Sequence, residues 1–399
     1  MGRNAKGAGN IRKVTKTKNG KKYTWWEGRI TIGTDPGTGK QLRKSFTGKT
    51  QKEVQEKMHA AAVSVNEGQF FEPSKMTVKE WFETWIKEYS GDKKYFTIDQ
   101  YNSFGKNHIL PEIGAIKLSA LTSVHIQKFY NKLGSEISEK TGKPLSAKSI
   151  RNIHGILSKC LNVAVDQGLM KSNPCERVTV PKVVKTQIEP LTEEEQKAFL
   201  KAIKAHRYSV LFTTLLFTGM RISEAIGLTW DCIDFQKGTL KIYRQLQKRL
   251  KKDGGYTFAP LKNSKTRIVQ LSPYIIDLLR KHKTTQQEKR LAAGELWQGF
   301  TNLEEQETAF VFTDDLGQHL KQDTVRTDFK ELCPDARIHD LRHTFAVNSL
   351  QAGDDFKTVS ESLGHATAAF TLDVYGHVSD EMRKQHAARQ QEYIKALGL

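Results

Sequence analysis

The sequence predicts a multidomain α+β protein: a small β-sheet-plus-helix module at the N-terminus, an all-α domain, and a mixed, mainly-α domain with a small antiparallel sheet. Three observations carry that expectation. A chain of 399 residues exceeds what one ordinary core organises. Strand-like runs are confined to two windows, 25–46 and 239–271, whereas elsewhere the apolar residues recur at helical spacing. Stretches 67–75 and 173–189, marked by Pro, Gly and polar residues, break the pattern. The expected domains are therefore 1–68, 76–175 and 188–380, with 381–399 as a C-terminal helix.

In the first module, Trp25–Gly33 is rich in strand-favouring residues, Asp35–Gly39 supplies turn chemistry, and Gln41–Phe46 reads as the returning strand. Thr50 caps a helix to about Asn66 with Val54, Met58 and Ala61 on one face. In the second, Thr77 opens an amphipathic helix carrying Val78, Trp81, Phe82 and Trp85. Helical patterns follow at Thr97–Ile109, Thr122–Leu133 and Ser146–Gln167, the last stopping at Gly168. The third begins at Thr192, which makes a capping box with Glu195. Helices are expected over 192–205, 207–218 and 221–228, then strands at Thr239–Tyr243 and Arg267–Leu271 around a polar hairpin near Lys251–Thr257. Helices are expected from there to the end, with Asp380–Leu399 as one amphipathic helix.

Composition narrows the function classes. The longest apolar stretch, Val210–Met220, is broken by three Thr and a Gly and is too short for a bilayer, so no membrane role is expected. The basic, polar start lacks a signal-peptide core, and Cys160, Cys175, Cys232 and Cys333 lie too far apart for a disulfide framework or a cysteine zinc site. Both features suit a cytoplasmic protein. The formal charge is +19, and residues 1–70 alone hold 15 Lys+Arg against 5 Asp+Glu. Such a field draws a polyanion, and contacts to phosphate gain free energy by releasing counterions. A basic sheet bearing aromatics fits a DNA groove, which makes Arg12, Lys13, Trp25, Arg29, Arg43 and Lys44 candidate DNA contacts. Lys148 and Lys265 are candidates farther along.

Four segments of the third domain carry chemistry: Thr218-Gly219-Met220-Arg221-Ile222-Ser223-Glu224, Leu261-Lys262-Asn263-Ser264-Lys265-Thr266-Arg267, His339-Asp340-Leu341-Arg342-His343, and Leu363-Gly364-His365 with Tyr375 ten residues later. Guanidinium forks match phosphate oxygens and stay charged at any working pH. A phenol becomes a nucleophile when positive charge stabilises its oxyanion, and a Lys or His can protonate a leaving oxygen. Together these residues can hold and attack a phosphodiester with no cofactor. His339 and His343 also have the i, i+4 spacing of a zinc pair, but Asp340 stands where such motifs place Glu, and Arg342 would put a cation beside the metal.

In this order, over essentially the whole chain, the segments resemble the tyrosine recombinase (phage integrase) family, closest to the integrases of conjugative transposons and lambda-type phages. The resemblance implies that Arg221 and Arg342 clamp the scissile phosphate and that Tyr375 attacks it, leaving a 3′-phosphotyrosyl link. His339 and His365 would hydrogen-bond the phosphate and assist proton transfer. Lys262, with Lys265 as the other candidate, would be the general acid. It further implies an arm-type DNA-binding module at 1–68, a core-binding domain at 76–175 and a catalytic domain at 188–380. The implied partners are double-stranded DNA with core and arm attachment sites, a homo-tetramer on that DNA, an excision factor and a host DNA-bending protein, all in the bacterial nucleoid. The tail 381–399 would dock either in cis or on a neighbouring subunit. The other reading of the same residues is a type IB topoisomerase-like strand passage enzyme, which shares the Arg/Lys/His/Tyr set.

Overall fold

The computed structural model describes residues 10–18, 20–34, 40–66, 74–138, 141–184, 190–249, 255–261, 265–301, 307–365, 367–375 and 390–398. Two compact units divide the chain, 1–184 and 185–399.

The first unit opens with a three-stranded antiparallel sheet in the order β1 (Asn10–Lys18), β2 (Lys21–Thr34), β3 (Gln41–Gly48), followed by α1 (Gln51–Asn66). Strand β1 is absent from the sequence reading. It pairs with β2 along its full length, from Asn10 with Arg29 to Lys18 with Lys21. Ile30, Val54, Met58 and Ala61 form the core of this module, with Ile11, Trp26, Ile32 and Phe46 packed against it. Gly28 admits α1 to the sheet, because a Cβ there would lie 2.2 Å from Met58 Sδ and 2.8 Å from Val54.

The rest of the unit is helical: α2 (Val78–Tyr89), α3 (Tyr95–Phe104), α4 (Leu110–Ile113), α5 (Ser123–Ser135) and α6 (Ala147–Asp166). Thr77 and Glu80 form the full capping box at the start of α2. The helix expected over Thr97–Ile109 starts two residues earlier and runs into a π-turn at Gly105–Ile109 before α4. A second hydrophobic core gathers Trp81, Phe82 and Trp85 of α2 with Ile150, Ile153, Leu157 and Leu161 of α6. The buried indole of Trp81 donates to the Cys160 carbonyl at 2.9 Å, which satisfies its one polar atom.

The second unit holds α7 (Glu193–Ala202), α8 (Ser209–Thr218) and α9 (Ile222–Ala225), then β4 (Ile233–Asp234), β5 (Thr239–Ile242), β6 (Arg244–Lys248), β7 (Tyr256–Pro260) and β8 (Arg267–Gln270). Strands β5 and β6 run nearly end to end, and the returning chain pairs first β7 with β6, then β8 with β5. Arg244 pairs with Pro260 and Ile242 with Arg267, so the two ladders meet on either side of Tyr243. After α10 (Pro273–Ala293) the expected run of helices is interrupted by a two-stranded ribbon, β9 (Phe300–Thr301) and β10 (Glu307–Thr308). Helices α11 (Gln322–Leu332), α12 (Asp340–Ala352), α13 (Phe356–Leu363) and α14 (Ala368–Tyr375) follow. Of the expected helix Asp380–Leu399, residues 390–396 are helical and 380–389 lie outside the described residues. Among the described residues, no helix is long and apolar enough to cross a membrane. The observed architecture matches the predicted class, α+β with a small N-terminal sheet, a helical middle and a mainly helical last part.

Candidate active site

The site is assembled from the ends of five helices and the start of one strand. Helix α8 is almost wholly buried and stops at Gly219, whose φ of +61° is the left-handed conformation that glycine adopts without strain. A side chain there would also collide with Phe345 at 2.4 Å and Leu363 at 2.8 Å. Arg221 stands two residues on, at the N-cap of α9. Its backbone N–H donates to Glu224 Oε2 at 2.9 Å and its Nη1 donates to Oε1 at 2.8 Å.

Arg342, one turn into α12, is 2% exposed. Its Nη1 donates to the Gly219 carbonyl at 2.6 Å and its Nη2 to the Leu363 carbonyl at 2.5 Å. One guanidinium thus ties the end of α8 to the end of α13. Burial, then the positive charge of Arg221, pulls its pKa down to about 9, still charged at neutral pH. The two arginines singled out by sequence therefore converge, each held by groups that use only part of its five-donor fork.

Glu224 is the electrostatic centre. Burial alone would raise its pKa, but the hydrogen bond and charge of Arg267, then the charge of Arg221, outweigh that and bring it down to about 2. Arg267 grips this carboxylate with both terminal nitrogens, at 3.1 and 2.6 Å, while its Nε donates to the Ser362 carbonyl at 2.8 Å. The sequence reading marks Arg267 only as the first residue of a closing strand. It in fact joins β8, α9 and the last turn of α13, just before His365. A signal existed: Arg267 and Val269 share one strand face, and an arginine on an inward face needs a buried carboxylate.

The histidines line the same region. His365 follows Gly364, the left-handed cap of α13, and its Nδ1 lies 2.8 Å from the hydroxyl of buried Thr371. Burial, then the charges of Arg342 and Arg221, lowers its pKa to about 3. The rings of His339 and His343 meet edge to face, centroids 4.9 Å apart. His339 keeps an exposed edge, yet desolvation of its ring first, then the charges of His343, Arg342 and Arg221, lowers its pKa to about 4. Among the described residues, no third His, Cys, Asp or Glu joins this pair in a metal-binding cluster. Tyr375, the last residue of α14, is 2% exposed, and its phenol oxygen lies 2.5 Å from His343 Nδ1. Burial raises the phenol to about 12, with the Arg342 charge pulling the other way. Lys262 lies outside the described residues. Lys265 is exposed, two residues before Arg267.

The other candidate contacts lie in the first unit. Strand alternation places Arg12, Trp25, Arg29 and Arg43 on the sheet face turned away from α1. Lys13 and Lys44 have the opposite parity, the one shared with Trp26 and Phe46. On the open face Glu27 sits between Arg12, at 3.0 and 2.7 Å, and Arg29, at 3.2 Å. Lys148 is exposed near the start of α6.

Residues 189–382 match the phage integrase family, and residues 77–134 match the N-terminal SAM-like domain of phage integrases. A "tyrosine recombinase XerC-like" protein of Caldanaerobacter subterraneus subsp. tengcongensis is 31% identical over 387 residues, covering 92% of this chain and 95% of that one. The ICEBs1 integrase of Bacillus subtilis is 24% identical over 391 residues, covering 96% and 100%. Among solved structures, the Tn1549 transposon integrase in complex with a circular intermediate DNA superposes with a TM-score of 0.64 at 19% identity, covering 78% of this chain and 100% of that chain. A lambda integrase tetramer bound to a Holliday junction gives a TM-score of 0.54 at 18% identity, covering 89% and 96%.

Proposed function

Because the chain belongs to the phage integrase family and is a tyrosine-type site-specific DNA recombinase, we propose that it integrates and excises a mobile genetic element through a 3′-phosphotyrosyl intermediate. The observation that carries this reading is the convergence of Arg221, Arg342, His365 and Tyr375 around helix ends that Arg342 itself ties together. In the reaction, Tyr375 Oη gives up its proton to His339 or His365 as it bonds to phosphorus, the bond from phosphorus to the 5′ oxygen breaks, and that oxygen takes a proton from Lys262 or Lys265. The phosphodiester's energy is kept in the tyrosyl bond, so a new 5′-hydroxyl can reverse the step with no cofactor.

The guanidinium forks of Arg221 and Arg342 spread the charge that grows on the nonbridging oxygens, and His339 and His365 hydrogen-bond the same oxygens. All this happens where little water competes. Residues 188–380 are the catalytic domain, 76–175 grip the core site and 1–68 read arm sites through the face bearing Arg12, Trp25, Arg29 and Arg43. Residues 381–399 dock in cis or on a neighbour. The Tn1549 integrase bound to circular intermediate DNA and the lambda integrase tetramer on a Holliday junction support double-stranded DNA as the substrate and a homo-tetramer as the working form. An excision factor and a host DNA-bending protein complete the proposed set, in the nucleoid of a bacterial cytoplasm.

A nicked suicide duplex spanning the joined ends of the encoding element tests the chemistry. The wild-type protein becomes covalently trapped, while Tyr375→Phe binds the duplex and forms no adduct. Arg221→Lys binds but is trapped roughly 100- to 1000-fold more slowly, since a point charge cannot replace the fork. An adduct formed by Tyr375→Phe refutes the assignment.

A further inference from the structure

The phenol of Tyr375 is buried among Val347, Leu350, Val359 and Leu363, side chains that offer it no hydrogen bond. A hydroxyl placed among such groups costs free energy unless it finds a partner. The partner is His343 Nδ1 at 2.5 Å, contributed by α12 one residue after Arg342. The contact spans 32 residues of sequence, and it links the end of α14 to the helix that carries one of the two phosphate-clamping arginines.

The direction of this bond follows from the surroundings. Burial lowers His343 to about 4. Asp340 opposes that shift, while Arg342 and Arg337 reinforce it. The other titratable groups facing it are His339 on the same helix, His365 beyond α13, and Tyr375 itself. At neutral pH the ring is therefore uncharged and the phenol keeps its proton, so the O–H donates and Nδ1 accepts. With the phenol raised and the imidazole lowered by burial, a phenolate–imidazolium pair is disfavoured. In this arrangement His343 holds the phenol and does not deprotonate it.

We propose that His343 is the positioning residue of the nucleophile: its Nδ1 docks Tyr375 into the site of the same chain, beside Arg342. This rests on the reading of Tyr375 as the attacking group. Without the acceptor, the hydroxyl has no other hydrogen-bond partner among the described residues and the end of α14 loses its polar tie to α12. Attack then waits on a residue that is seldom in place, and misplacing a reacting group by about 1 Å costs on the order of 100-fold.

The test uses the full chain and the nicked duplex above, with two variants. His343→Leu removes the acceptor. His343→Asn presents an amide oxygen about where Nδ1 stands, yet lacks the ring and cannot act as an imidazole base. His343→Leu is expected to form adduct about 100-fold more slowly at unchanged DNA affinity, and His343→Asn to recover to within about tenfold of wild type. Rescue by an acceptor that does not restore the ring's packing separates positioning from a general structural role. Adduct formation by His343→Leu at the wild-type rate overturns the proposal. So does an Asn variant far below wild type, which also decides the matter where the Leu variant fails to fold. A wild-type protein that forms no adduct sinks the reading of Tyr375, and the inference with it.

Discussion

Among the described residues, one ionic grouping, a carboxylate between two arginines, occurs in two opposite surroundings. In the N-terminal sheet, Arg12 and Arg29 flank Glu27 with side chains 62% and 56% exposed. In the second unit, Arg267 and Arg221 flank Glu224, and the side chains of Arg267 and Glu224 are only 7% and 1% exposed. Water and salt screen the first group, so its arginines can exchange Glu27 for a phosphate at little cost. The second lies where an unpaired charge is expensive, so its geometry is fixed before DNA arrives. An adaptable fork suits the DNA-reading role proposed for the sheet, and a fixed one suits the proposed phosphate site, which has to meet phosphorus in a single geometry.

The largest expected effect breaks the buried group. Glu224→Gln leaves two guanidinium groups facing an amide and is expected to cost about 3–5 kcal/mol in urea unfolding. A loss under about 1 kcal/mol would mean that the buried grouping is no more constrained than the exposed one.

Acid acts on the same contrast. Glu224, at about 2 in the fold against an ordinary 4.5, contributes about 3 kcal/mol of stability. That contribution is complete above about pH 4.5 and is lost as pH falls through about 2. His343 and His365, held at about 4 and about 3 against an ordinary 6.5, act earlier. Between pH 6.5 and those values the unfolded chain binds protons that the fold refuses, so stability declines from about pH 6.5 downward. Urea midpoints at a series of pH values should fall below pH 6.5, and a flat profile from pH 7 to 5 would contradict the buried histidines.

The smallest effect is at the exposed group. Glu27→Gln should leave the thermal midpoint unchanged and tighten binding to duplex DNA, with a salt dependence steeper by about one phosphate contact. Weaker binding would show that Glu27 orders the arginine forks for DNA and does not compete with it.

How much of this the sequence reveals depends on whether an element's cause is local. The capping boxes at Thr77 and Thr192 and the long apolar stripe of α6 are local and legible. So are the segments bearing Arg221, Arg342, His365 and Tyr375, which the structure brings into one region. Strand β1 is not legible: four of its nine residues are Lys or Arg, which read as a basic tail until β2 pairs with them. Strands β9 and β10 have two residues each, too few to show a period. Strand β8 inverts the hydrophobic rule, with Ile268 65% exposed and Arg267 8% exposed. The distant carboxylate of Glu224 causes that inversion, and no window around Arg267 contains it. The Tyr375–His343 contact is invisible for the same reason, since it depends on how α12, α13 and α14 pack.

The most direct measurement is the identity of the residue that carries DNA after cleavage. The trapped wild-type complex would be digested with nuclease and protease, and the peptides analysed by mass spectrometry. A nucleotide joined through its 3′-phosphate to Tyr375 is the predicted result; a nucleotide on any other side chain, or joined through a 5′-phosphate, would contradict the account.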